Sequence, residues 1–236
     1  MTTMQKNQYI WTDLRDFFFP RLCLTCGCKL QLHEEELCIS CLAGLPKTRI
    51  LNTPENEMES RMWAHPNIRR ASSLFYYAKG GKVSKILHAM KYQRRKSLCE
   101  QMGRLIAVEL QSTGFFEGID YLIPVPLHPA RLRQRGYNQS EQLCIGISLL
   151  TGIPLATDVL KRVHNNATQT HKSSSERWHN TQGLFSATDQ AVKLHNKHVL
   201  FVDDVFTTGA TLSACITALS TAESIQASIV TLAYAK

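Results

Sequence analysis

No apolar run in this chain approaches the ~18–20 residues that a membrane span needs. Its N-terminal stretch lacks the basic, apolar, small-residue order of a secretory signal. The expectation is therefore a cytoplasmic protein without a membrane span, in which disulfides are a poor explanation for eight cysteines. Acid is scarce in one region. Residues 61–104 hold the single carboxylate Glu100 against eleven bases, whereas the rest of the chain has sixteen bases and eighteen acids. The net charge of +8 thus belongs to that region, which suits a polyanion such as nucleic acid or pyrophosphate. A merely solvated basic face is the plain alternative.

The most informative stretch that is present reads VLFVDDVFTTGAT, Val199 to Thr211. Four apolar residues suit a buried parallel strand, although a buried helix segment has the same pattern. Asp203 and Asp204 are expected where that strand ends. Thr207, Thr208, Gly209, Ala210 and Thr211 then form a turn into a helix over Leu212 to Thr221. A helix N-terminus offers unpaired amides and favours negative charge. Gly209 admits a close ligand, and three threonines add hydroxyls. That cradle suits a monophosphate. The two carboxylates would repel phosphate, so they should face sugar hydroxyls or a cation. No Gly-Lys-Ser/Thr follows, so this is not a P-loop.

Cys23-Leu-Thr-Cys26 and Cys38-Ile-Ser-Cys41 are two C-x-x-C pairs, the arrangement of a structural Zn²⁺ held by four thiolates. A disulfide or a redox pair is the rival, the first calling for a secretory signal and the second for a thioredoxin-like context. Cys28 is a spare thiol beside the first pair. The expected organisation is a zinc module over residues 1–50, a polar linker over 51–60, and a main domain over 61–236. Trp11, Leu14 and Phe17 to Phe19 suggest a short docking helix. Val83, Ile86, Leu87 and Met90 fall at helical spacing. Tyr121 to Pro126 reads as a core strand, followed by a basic loop carrying Arg131, Arg133, Arg135 and Gly136 that suits pyrophosphate or nucleic acid. Residues 161–185 are polar enough to read as a mobile lid, with Arg162, Gln169, Arg177 and Asn180. Lys82, Lys85, Lys91, Arg94, Arg95, Lys96, Arg131 and Arg133 are the candidate DNA contacts, with Phe75, Tyr76, Tyr77, Tyr92 and Tyr137 available for stacking.

VLFVDDVFTTGAT resembles the phosphoribosyl pyrophosphate (PRPP) motif of type I phosphoribosyltransferases. With the paired C-x-x-C module, Ile123-Pro-Val-Pro-Leu-His-Pro129 and the RxRxRGYNQ segment, nearly the whole chain resembles the ComF family of competence proteins. That resemblance implies an α/β fold, a five-stranded parallel sheet with helices on both faces beside a zinc ribbon. It also implies a role in natural transformation, acting on single-stranded DNA. Asp203 and Asp204 would be the catalytic pair, the turn through Thr211 with Arg135 and Gly136 would bind PRPP, and Mg²⁺ would accompany it. A metabolic phosphoribosyltransferase and an adaptor for a DNA-translocating helicase are the alternatives. Asn166, His171 and Lys172 depart from the family's lid.

Overall fold

The computed structural model describes residues 20–51, 53–164, 183–220 and 224–236. The expected docking helix and the lid residues Gln169, Arg177 and Asn180 lie outside them, while Arg162 lies within. The chain divides into two units, Met1–Leu45 and Pro46–Lys236. The sequence reading ended the small module at residue 50, but residues 46–48 run along the edge of the larger unit's sheet. There the Tyr76 amide donates to Pro46 O (2.8 Å) and the Thr48 amide to Leu74 O (2.9 Å). Pairing along a strand edge fixes membership better than composition does.

In the smaller unit, Leu22 bridges Lys29 in an antiparallel hairpin whose turn is closed by Cys23 N to Cys28 O (2.8 Å) and Gly27 N to Cys23 O (2.8 Å). Gly27 sits at φ +76°, where a side chain would be strained. Helix α1 (Ile39–Ala43) follows. Glu34 ties the two halves, its Oε2 accepting from Gln31 N (2.7 Å) and its Oε1 from Ile39 N (2.8 Å). The apolar core here is small, built on Leu30, Leu37 and Leu45. Units of this size usually need a metal or cross-links to hold together.

The larger unit runs α2 (Glu57–Arg61), β1 (Ile68–Tyr76), α3 (Lys82–Tyr92), α4 (Lys96–Gln111), β2 (Tyr121–Pro124), α5 (Pro129–Arg135) and α6 (Gln139–Thr151). It continues with β3 (Leu160–Arg162), β4 (Phe185–Ala187), a 3₁₀ turn (Asp189–Leu194), β5 (Lys197–Phe206), α7 (Ala210–Ser220) and β6 (Ile225–Tyr234). The main sheet has the order β1-β6-β5-β2 and is parallel throughout. Among the described residues the five strands that the resemblance implies are four. The fifth position, beside β2, holds only a single parallel bridge, Leu122 to Leu155. β3 and β4 form a separate antiparallel pair.

The expected parallel sheet with helices on both faces is borne out. Val199 and Phe201 of β5 join the cluster formed by Leu212, Cys215, Ile216 and Leu219 of α7 with Met58 and Met62. By strand alternation Leu200 and Val202 face the other side, where α6 packs on β5 and β2. All four are fully buried, as a strand covered on both faces requires. The stretch read as a linker is therefore not one. Asn56 caps α2 through Met58 N (2.9 Å) and donates to Ala71 O (2.8 Å), and Met58 is core. Its polar residues are caps and surface around one buried anchor.

Helices α4 and α6 meet at Gly103 and Gly146. A Cβ on Gly146 would lie 2.2 Å from Glu100 O and 2.9 Å from the Gly103 Cα. Backbone cannot yield to that, so the helices would have to separate. Gly146→Ala is expected to destabilise the larger unit by about 3 kcal/mol, despite the higher helix propensity of alanine. Urea unfolding measures it, and an unchanged midpoint would contradict the close crossing.

Candidate functional site

β5 does not end at the acids. It continues through Asp203 and Asp204 to Phe206, with Asp203 in register with Thr231 of β6. The turn then occupies residues 207–209, with Gly209 at φ +83°. A Cβ there would lie 2.8 Å from Met62 Sδ and 2.9 Å from the Phe206 ring, so only glycine fits both the angle and the space. Arg61 Nη1 donates to Thr207 O (2.7 Å), holding the turn from outside. Ser213 N donates to Gly209 O (2.8 Å) as the first bond of α7, and Ala210 N donates weakly to Thr208 Oγ1 (3.4 Å). No bond among the described residues uses the amides of Thr208, Gly209, Thr211 or Leu212. Those of Gly209, Thr211 and Leu212 border a small open dent lined also by Asp203 and Thr207. A small anion is what such amides bind.

The acids lie in a basic frame. Lys91, the penultimate residue of α3, bonds Asp204 Oδ2 through Nζ at 2.9 Å, with side chains 25% and 14% exposed. Asp203 Oδ1 accepts from Ser140 Oγ (3.0 Å) and from the Asp204 amide (2.8 Å). Burial, followed by the charge of Asp204, pushes the Asp203 carboxyl up to about 7, against the Asp204 amide, Lys91 and Ser140. Burial acts to depress Lys91, but the Asp204 carboxylate overrides it and raises the ammonium above its ordinary value. Lys91 had been grouped with the DNA contacts on charge alone. The fold instead turns it inward, because it follows Met90 on the buried stripe of α3.

The arginine-rich segment is not a loop. His128 caps α5 by accepting from Ala130 N (3.2 Å), and the helix ends at Gly136 (φ +81°). Helical spacing places Arg131 and Arg135 on one face and Arg133 on another. Arg135 donates to Gln139 Oε1 (2.7 Å) and its guanidinium stacks 5.7 Å from the Tyr92 ring centroid. Gly136 lies beside Arg94: a Cβ there would be 3.9 Å from Arg94 Nε. Arg162 stacks 5.4 Å from Phe185, and burial lowers its pKa.

Of the candidate DNA contacts, Lys82, Lys85, Arg94, Lys96 and Arg133 are exposed, while Arg95 and Arg131 are half-buried. Lys82, Lys85, His88 and Tyr92 fall on one exposed stripe of α3 that ends beside Arg135. Among the expected stacking rings Phe75 and Tyr137 are core and Tyr76 and Tyr77 half-buried, which leaves Tyr92 at 60% exposed. Trp63, 83% exposed and next to Met62 beneath the turn, was missed by the sequence reading. Ser140 was missed too. No motif announces it, since only the fold brings it under Asp203.

The thiols of Cys23, Cys26, Cys28 and Cys38 lie within 4.8 Å of one another and could hold a metal. The expected set had Cys41 in place of Cys28. Cys41 is buried and its amide donates to Cys38 O (3.0 Å). The Cys26–Cys38 sulfur separation is 3.7 Å, and a tetrahedral centre with ~2.3 Å Zn–S bonds sets sulfurs ~3.8 Å apart. The thiols therefore fit Zn²⁺. Mg²⁺ finds no comparable cage: among the described residues no other cluster of three or more His, Cys, Asp or Glu could hold a metal, and Lys91 already occupies Asp204.

No family model matches the chain. It is 28% identical over 210 residues to the DNA utilization protein YhgH of Salmonella typhimurium, covering 82% of this chain and 88% of that one. Competence protein F of Haemophilus influenzae is 25% identical over 206 residues, covering 83% and 89%. The expected resemblance to competence proteins is borne out by these relatives. Among solved structures, the glutamine PRPP amidotransferase of B. subtilis is similar over 61% of this chain and 30% of its own, with 20% identity and a TM-score of 0.41. Adenine phosphoribosyltransferase of Leishmania tarentolae is similar over 72% and 92%, with 9% identity and a TM-score of 0.35. No helix of the described residues is long and apolar enough to cross a membrane.

The raised Asp203 pKa has a definite sign. The folded chain holds this proton above the pH at which the unfolded chain releases it, so the group's contribution to stability is complete below about pH 4 and falls as pH rises towards about 7. Asp203→Asn, which cannot ionise, is expected to gain stability over wild type as pH rises from about 4 to about 7, the gain vanishing near pH 4. Chemical denaturation across that range measures it. A gain that does not change with pH would show that Asp203 is not the titrating group.

Proposed function

We propose that Asp203 to Thr211 bind the ribose 5-phosphate half of PRPP, in a protein that handles single-stranded DNA during its uptake and use. One observation carries the ligand: uncommitted amides at the start of α7 adjoin two carboxylates on the same continuous strand. A 5′-phosphate would take the amides with the hydroxyls of Thr207, Thr208 and Thr211. Ribose hydroxyls would donate to Asp204 in place of Lys91, freeing Lys91 and Arg135 for the pyrophosphate. Mg²⁺ would come with the pyrophosphate, as it usually does when protein carboxylates are few.

The DNA half of the proposal is supported by the relatives' names and by the α3 stripe. Lys82, Lys85, Arg94 and Lys96 give it charge, and Tyr92 gives a face on which a base can stack. Arg162 and the 161–185 stretch are proposed to close over the ligand, and the smaller unit to be a zinc ribbon. Exposed Leu22, Leu32 and Ile39 suit that ribbon to an adaptor role toward a helicase. A complex that persists without residues 1–45 removes the adaptor role.

Calorimetry with Mg²⁺-PRPP is expected to show binding that Asp204→Asn weakens tenfold or more, since bonds to a charged acceptor contribute ~1.5–3 kcal/mol. An unchanged isotherm sinks the site. Release of pyrophosphate with candidate nucleophiles, DNA included, separates turnover from binding. Oligo(dT) affinity is expected to fall steeply with salt, the log–log slope easing by ~0.7 for each phosphate contact removed at Lys82, Arg94 or Lys96. Affinity indifferent to salt and to Tyr92→Ala takes DNA off this face.

A further inference from the structure

The smaller unit carries five thiols where a tetrahedral metal accepts four. Cys23, Cys26 and Cys38 are common to both candidate sets, with either Cys28 or Cys41 as the fourth. Two things bring Cys28 in. The left-handed Gly27 turns the chain back so that Cys28 Sγ sits 3.3 Å from Cys26 Sγ, and it also belongs to the group of four lying mutually within 4.8 Å. Cys41 approaches from α1, buried, with its amide donating to Cys38 O (3.0 Å) and its thiol outside that group of four. The two differ in setting: Cys28 is exposed and Cys41 is core.

We propose that Cys28 and Cys41 are interchangeable fourth ligands of one Zn²⁺, so that the centre holds its metal in an inner and an outer coordination state. In the exchange the Zn–Sγ bond to Cys41 breaks as that to Cys28 forms. Cys28 gives up a proton to solvent and Cys41 takes one up, and no electron moves. Zn²⁺ has no d-electron preference and passes readily through five-coordination, so a fifth thiol supplied by the second C-x-x-C pair would open an associative path. In the outer state two ligands, Cys26 and Cys28, face solvent, where a chelator or an acceptor thiol can attack. In the inner state Cys26 alone of the four ligands faces solvent. The site is thus built for retention with exchange, unlike a closed structural centre of four buried thiolates.

The test uses the full chain loaded with Zn²⁺, comparing wild type with Cys28→Ser, Cys41→Ser and the double variant. Metal content is read by elemental analysis and release by transfer to the chelator 4-(2-pyridylazo)resorcinol. Each single variant is expected to keep about one Zn²⁺ per chain and the double variant to lose it, by the four-ligand requirement of a closed site. Cys28→Ser is expected to release the metal about fivefold or more slowly than wild type, a barrier increase of ~1 kcal/mol. Cys41→Ser is expected to release it faster. Loss of metal in either single variant, or retention in the double, overturns interchange. Should Cys41→Ser misfold, the exposed Cys28 position still decides: a release rate equal to wild type makes Cys28 a bystander and ends the proposal.

Discussion

Two adjacent carboxylates on a strand covered on both faces are the constraint around which the larger unit is arranged. Neighbouring side chains on a strand point to opposite faces, so Asp203 and Asp204 take different hydrogen-bond partners. Each needs its own. Asp203 finds Ser140 and its neighbour's amide, and Asp204 finds Lys91. Those partners come from α6 and from the end of α3, so both helices must be held in place. The glycine crossing of α4 and α6 helps set that distance, since any side chain at Gly103 or Gly146 would lift α6 and its Ser140. Tyr137 anchors the start of α6 to α3 by donating to Met90 O, one residue before Lys91. Packing far from the ligand dent therefore fixes its electrostatics.

Much of this was legible in the sequence, for reasons that differ by element. The apolar run at Val199 to Val202 could only be a buried segment, and Thr-Thr-Gly after two acids could only be a turn, so β5 and the start of α7 were readable. The strand's extension to Phe206 was not. It depends on β6 offering partners as far as Tyr234, a long-range fact. The arginines before Gly136 were misread as loop because alternate spacing has no helical period. A proline at the first helical position and a capping histidine made the helix instead.

Lys91 and Cys28 show a different limit. A basic residue in a basic stretch looks solvated, and a cysteine outside a C-x-x-C pair looks spare. In both cases spacing describes the residue and the fold assigns the partner. Met90 and Lys91 are neighbours in sequence, yet one is core and the other closes an ion pair. The signal that could have found Lys91 is the helical period itself, since it flanks the buried stripe Val83, Ile86, Leu87 and Met90. The thiols follow the same logic, because Gly27 brings together two sulfurs that the motif counts apart.

The ion pair also constrains what ligand the site can select. A half-buried pair resists losing one partner, so a neutral sugar offering only hydroxyls to Asp204 would leave the Lys91 ammonium without its anion. The displaced ammonium needs a new anion within reach. A ligand that brings both together, hydroxyls for Asp204 and a phosphate group near Lys91 and Arg135, exchanges one set of partners for another without stranding a charge. A simple sugar phosphate bound at the α7 amides satisfies only the first need. Under the proposed reading, the pairing of Lys91 with Asp204 would favour a sugar carrying two separate phosphate groups, one at each end of the strand's acid pair.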